Sequence, residues 1–277
     1  MTVTARPYRL LGAGIGAVAL ALALQVPAGA QEGGGQTCPN ETQAPILGTA
    51  AADRLNGTPA GDRILAGAGD DVVNALQGDD CVRGGDGFDE IQGGAGRDTI
   101  FGENGPDDVT GGAEADRVLG GDGFDFVSGG LGDDELLGEG GPDDMNGGRG
   151  NDELEGGEGV DFLEGGLGRD ELDGGDRGDR LSGGDGADRI DGGDGNDRLS
   201  GGLDGDRLDG GDGNDRIDGG DGRNRYFGGR GRDVIDAANG SRETIDCGGG
   251  GRDVVRADAT DRLRGCERVF RLRLVRR

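Results

Sequence analysis

Between Gly48 and Asp236 an apolar residue returns at every ninth position: Leu55, Ile64, Val73, Val82, Ile91, Ile100, Val109, Val118, Val127, Leu136, Met145, Leu154, Leu163, Leu172, Leu181, Ile190, Leu199, Leu208, Ile217, Tyr226 and Ile235. The frame holds for 21 units without insertion or deletion. The apolar residue sits at the eighth place of each unit, typically between two polar ones, as in Arg198-Leu199-Ser200. Side chains alternate faces along a strand, so Leu199 turns inward while Arg198 and Ser200 face water. The pattern predicts a short strand at the end of each unit. It also predicts a stacked repeat architecture, in which each unit buries its one apolar residue against its neighbours.

The sixth place is as regular as the eighth. It is aspartate in 20 of the 21 units, with Asn224 the exception. From Gly84 onward most units also carry glycine at places one, two and four. Glu103 and Glu139 replace the second glycine, and Arg177 and Asp204 stand where the third is due. Collagen is excluded because it needs glycine at every third position. EF-hand loops are excluded because no stretch combines alternating acids with a glutamate at twelve and flanking helices.

Composition narrows the reading further. Of 277 residues, 68 are glycine, 31% are hydrophobic and 3% aromatic, and the formal net charge is −27. A chain this polar and this charged ordinarily stays disordered, but a disordered linker has no use for a strict phase. An ordinary two-layer core is excluded. The acidic balance argues against nucleic acid, whose phosphates attract basic surfaces, and for cations. There is no histidine and no lysine, so the commonest catalytic base and amine nucleophile are missing.

The unit GGxGxDxUx, with U apolar, as in GGDGNDRLS from Gly192, resembles the hemolysin-type, or RTX, calcium-binding repeat. The likeness extends over roughly two thirds of the chain. It implies an all-β, right-handed parallel β-roll of about 21 nonapeptides, two per winding, with the glycine-rich hexapeptide as turn and the last three residues as strand. It also implies calcium as the cofactor, in many copies. The expected ligands are the sixth-place aspartates Asp71, Asp80, Asp89, Asp98, Asp107, Asp116, Asp125, Asp134, Asp143, Asp152, Asp161, Asp170, Asp179, Asp188, Asp197, Asp206, Asp215 and Asp233, with the best-formed sites between Gly84 and Ile217.

The chemistry supports that choice independently. Units two apart stack, so their aspartates line up. Carboxylates ~5 Å apart repel by about 3 kcal/mol at an effective dielectric near 20. Calcium accepts six to eight oxygens in flexible geometry, whereas magnesium demands a stiffer octahedron and zinc favours nitrogen and sulfur. Each winding holds two aliphatic residues in eighteen, too thin an interior to order the chain alone, so folding is expected to wait for the ion.

The ends differ from the array. Arg6 and Arg9, the apolar run Leu10 to Leu24 and Pro27-Ala28-Gly29-Ala30 have the layout of a secretory signal peptide cleaved after Ala30. The expected organisation is a signal peptide over 1–30, an N-terminal segment over 31–47, the roll over 48–236 and a C-terminal cap over 237–277. Removing 1–30 takes away two arginines and no acids, so −27 becomes −29. In an exported chain the four cysteines Cys38, Cys81, Cys247 and Cys266 read as disulfides with three connectivities open. Neighbour pairing would join Cys38 to Cys81 and Cys247 to Cys266, the second bond closing the cap. The expected partners are calcium ions and an anionic cell wall or cell surface met by the C-terminal arginines, with the chain a monomer. The reading is a secreted calcium-binding protein with a structural, adhesive or surface-associated role and no enzymatic activity. The alternative, a polysaccharide-acting enzyme on a parallel β-solenoid, needs a groove that breaks the repeat, and none interrupts the array.

Overall fold

The computed structural model describes Cys38 and residues 44–272, so the expected signal peptide lies outside the described residues. Every regular element among these is a β-strand. The strands pair in parallel at an eighteen-residue offset: Ile91 faces Val109, which faces Val127, then Met145 and Leu163. Two units therefore make one winding. One sheet holds 13 strands, from Arg54–Asn56 to Arg268–Leu272, and the other runs from Ile46–Leu47 to Arg262–Arg264. The second sheet counts as 17 segments because strands such as Arg189–Asp191 and Asp194–Gly195 are one strand broken in two. About 13 windings at ~4.8 Å form a stack ~60 Å long. This is the all-β parallel roll expected from the sequence.

The interior is one residue deep on each side. Every eighth-place residue from Ile64 to Ile235 is buried, and Leu55 is half-buried at the open end. Burying such side chains stabilises by about 1.5–3 kcal/mol apiece, which leaves much of the ordering of each winding to other forces.

The strands are longer than the repeat suggested. Glu90–Ala95 and Phe162–Leu167 are typical, at six residues each. They take in the glycine pair, so the turn shrinks to places four to six. The second glycine kinks the ladder without ending it. Gly94 sits at φ 113° and still pairs with Gly112, and a Cβ there would approach the Leu76 carbonyl oxygen to 2.2 Å. The units that depart from the glycine pattern keep its backbone. Glu103, Glu139, Arg177 and Asp204 adopt φ of 79°, 70°, 78° and 71°.

The ladders also run past Asp236, where the nine-residue spacing stops. Arg225–Phe227 pairs with Thr244–Asp246 at an offset of 19, and Val234–Ala237 with Val254–Asp258 at 20. Buried Ile245 and Val255 continue the inner rows. Short loop insertions thus hide further coils from a search with fixed period. Disulfides join Cys38 to Cys81 and Cys247 to Cys266, the neighbour pairing. Cys38 packs with Cys81, Phe101, Leu119 and Leu137 as a small second core.

Candidate metal centres

The turns stack along two edges. One carries Asp53, Asp71, Asp89 and every second sixth-place residue to Asp233, and the other carries Asp62, Asp80, Asp98 and the rest. All 18 aspartates singled out from the sequence are buried, with exposures of 3% or less. The structure brings each next to its counterpart one winding away.

The contact has one form throughout. Each aspartate uses Oδ1 to accept the backbone N–H of the aspartate eighteen residues earlier. Asp125 N–H donates to Asp143 Oδ1 at 2.9 Å, and Asp134 N–H to Asp152 Oδ1 at 2.9 Å. The second oxygen has no such partner. Oδ2 is buried without a hydrogen bond in all 18, from Asp71 to Asp233. A buried carboxylate oxygen left bare is strongly unfavourable, and here the arrangement repeats at every turn.

First-place glycines line the space beside each bare oxygen. A Cβ on Gly147 would lie 2.6 Å from Asp152 Oδ2 and 2.7 Å from the Gly165 carbonyl oxygen. One on Gly201 would lie 2.3 Å from Asp206 Oδ2 and 2.6 Å from the Gly219 carbonyl oxygen. Glycine thus keeps open a cradle of carboxylate and carbonyl oxygens. Among the described residues no three acidic or cysteine side chains gather into a ready metal cage. Backbone carbonyls such as that of Gly165 must therefore supply much of any shell. An all-oxygen donor set of this kind fits calcium.

The electrostatics point the same way. Burial raises the pKa of Asp107, Asp116 and Asp143 to about 8, against the lowering effect of the N–H bond from the winding before, with neighbouring carboxylates adding to the rise. Burial likewise lifts Asp80, Asp152, Asp179, Asp206 and Asp215 to about 7. These groups need protons or a cation.

The first two units differ. Asp62 Oδ2 accepts Thr58 N–H at 2.6 Å and Thr58 Oγ1–H at 2.9 Å, and Asp53 Oδ2 is held in the same way by Thr49. In the next two units Ala66 and Ala75 replace the first glycine and put a buried methyl beside the turns of Asp71 and Asp80. The third-place acids Asp86, Asp122, Asp185, Asp194 and Asp212 are exposed. Asp212 pairs with Arg230 at 2.7 Å, and nothing aims this set into the cradles.

Two carboxylates escaped the sequence reading. Asp253 Oδ1 accepts Asp233 N–H at 3.0 Å, and Glu243 Oε1 accepts Asn224 N–H at 3.2 Å. Asp253 Oδ2 and Glu243 Oε2 are buried without partners. The available signal was an acid two places before a buried aliphatic residue, as in Glu243-Thr244-Ile245 and Asp253-Val254-Val255.

A family model described as the RTX calcium-binding nonapeptide repeat matches seven stretches that run on without a gap: 47–82, 75–109, 83–118, 110–145, 137–172, 173–208 and 200–235. Together they span most of the chain. No individual curated protein matches it.

Proposed function

Since the chain belongs to the RTX calcium-binding nonapeptide repeat family, we propose that it is an exported protein whose windings close around calcium and which folds when the ion binds. The observation that carries this reading is the row of buried, partnerless Oδ2 atoms beside glycine-lined cradles. The sixth-place aspartates from Asp71 to Asp233 would hold the ions, with Asp253 extending one edge. Bound calcium would replace carboxylate repulsion between windings with attraction. The chain's own contribution is to fix Oδ1 on the neighbouring backbone, leave Oδ2 free and exclude side chains from the cradle. Folding then follows export, because a site absent from the unfolded chain makes binding energy into folding energy.

The signal-like N terminus supports an extracellular location. The role fitting such a rod is structural or surface-associated rather than enzymatic, with exposed Arg262, Arg264 and Arg268 meeting an anionic wall. Equilibrium dialysis of chelated protein against calcium, magnesium and zinc tests the reading. Many calcium ions per chain, retained over a magnesium excess, are expected. Binding of none, or equal binding of magnesium, would refute it.

A further inference from the structure

One turn of the Asp62 edge departs from its neighbours. In the unit Gly219 to Phe227 the aspartate is replaced by Asn224 and the aliphatic residue by Tyr226. A Cβ on Gly219 would meet Tyr226 Oη at 2.2 Å and Asn224 Nδ2 at 2.5 Å. At Gly201, one winding earlier, it would meet the bare carboxylate oxygen of Asp206. Here a phenol and an amide stand where a lone carboxylate oxygen stands elsewhere.

The next turn brings in a third neutral group. Residues 237–243 contain an insertion relative to the repeat, and Asn239 from it reaches back into the stack. Its Nδ2 donates to the Gly220 carbonyl at 2.8 Å, the Gly222 carbonyl at 3.2 Å and Glu243 Oε1 at 2.9 Å. Two turn carbonyls and a carboxylate of the following turn therefore converge on one nitrogen. Its Oδ1 accepts Ser241 N–H at 2.8 Å, which fixes the side chain in place. Tyr226 Oη–H, at 3.4 Å, donates to the same Glu243 Oε1.

We propose that the Asn239 amide, backed by Asn224 and Tyr226, occupies the place of a cation among the Gly220 and Gly222 carbonyls and Glu243 Oε1. This rests on the calcium reading of the neighbouring windings. The amide carries two N–H donors and no net charge, so it satisfies the two turn carbonyls and Glu243 Oε1 without an ion, while Glu243 Oε2 keeps no donor. The row of ion sites on the Asp62 edge is thereby interrupted at Asn224, while that on the Asp53 edge continues to Asp253. The inserted loop, which breaks the nine-residue spacing, brings its own replacement for the ion.

Asn239→Asp tests the proposal on the full chain. Aspartate keeps the Oδ1 acceptor for Ser241 but removes both N–H donors, so the Gly220 and Gly222 carbonyls and Glu243 Oε1 face a second carboxylate. Calorimetry should count one more calcium per variant chain than per parent. At limiting calcium the variant should be less stable than the parent, and saturating calcium should abolish the difference. Asn239→Ala, which merely empties the place, should show the same gain of an ion with weaker affinity. An unchanged count in both variants overturns the proposal while leaving calcium binding by the other windings intact. A count that rises for Asn224→Asp with Asn239 in place also overturns it, because the amide would then not be what excludes the ion. A parent that binds no calcium overturns both this proposal and the function it rests on.

Discussion

Asp107 Oδ1 accepts the backbone N–H of Asp89 at 2.8 Å, while Asp107 Oδ2, equally buried, touches no donor. One carboxylate thus has two roles. One oxygen fastens a winding to the one before it, and the other is left for something the chain does not supply. The same division recurs along both edges.

Substituting one such aspartate by asparagine separates the two roles. Asn224 already accepts Asp206 N–H through its Oδ1 at 2.8 Å, so the fastening survives in Asp143→Asn. What is lost is the charge facing Asp125 and Asp161. Without calcium the variant should be more stable than the parent by about 1–3 kcal/mol, the scale of repulsion between stacked carboxylates. With saturating calcium the order should reverse, and at least one ion should be lost. The pH at which chelated protein gains β-signal on acidification, and denaturant melts in saturating calcium, check the two signs.

Acidity should partly substitute for the ion. Burial raises the folded-state pKa of Asp89, Asp98 and Asp125 to about 6 and that of Asp107, Asp116 and Asp143 to about 8. A raised carboxyl pKa means that the folded state keeps protons the unfolded chain has released. Its contribution is therefore complete below about pH 4, the ordinary carboxylate range, and is lost as pH climbs through about 6 to 8. Chelated protein should gain β-signal in circular dichroism on acidification from pH 8 to pH 4. Calcium affinity should move oppositely and weaken as pH falls, since the ion binds the ionised form.

The first-place glycine should tolerate no side chain where it lines a cradle. In Gly147→Ala the new methyl would sit 2.6 Å from Asp152 Oδ2 and 2.8 Å from Asp152 Cβ. Displacement of that carboxylate should destabilise the calcium-bound protein by about 1–3 kcal/mol, the usual range for overpacking, and remove an ion. Gly249, which has open space around it, should accept alanine with little change in the calcium-bound thermal midpoint.

Where a non-glycine residue holds a left-handed conformation, glycine should be better. Arg177 is exposed at φ 78°, a conformation that costs an ordinary L-residue about 1–2 kcal/mol. Arg177→Gly regains most of this and loses about 0.5 kcal/mol to unfolded-chain entropy. A rise of about 1 kcal/mol in calcium-bound stability is expected, with no change in ion count, as read by denaturant melts and calorimetry.

The period, the parallel roll and the buried aspartates were legible in the sequence because places six and eight admit almost no variation. Glycine obscured the strand length. Gly93-Gly94 looks like the start of a turn, yet Gly94 keeps its ladder pairing at positive φ. The coils holding Ile245 and Val255 were hidden because one or two extra residues per winding destroy a fixed frame without disturbing the stack. The packing of Cys38 on Phe101 and Leu119 was hidden because ninth-place residues elsewhere face water. The closure of Asp53 and Asp62 by Thr49 and Thr58 depends on hydroxyl direction, which spacing alone does not encode.

The most direct test is whether the thin interior holds without ions. Circular dichroism and small-angle X-ray scattering should be recorded on the full chain at neutral pH, first in chelator and then in millimolar calcium. The expected result is an expanded chain lacking β-signal that becomes, on calcium addition, a compact rod ~60 Å long, the length of about 13 stacked windings. A rod of the same dimensions and β-content already present in chelator would contradict it.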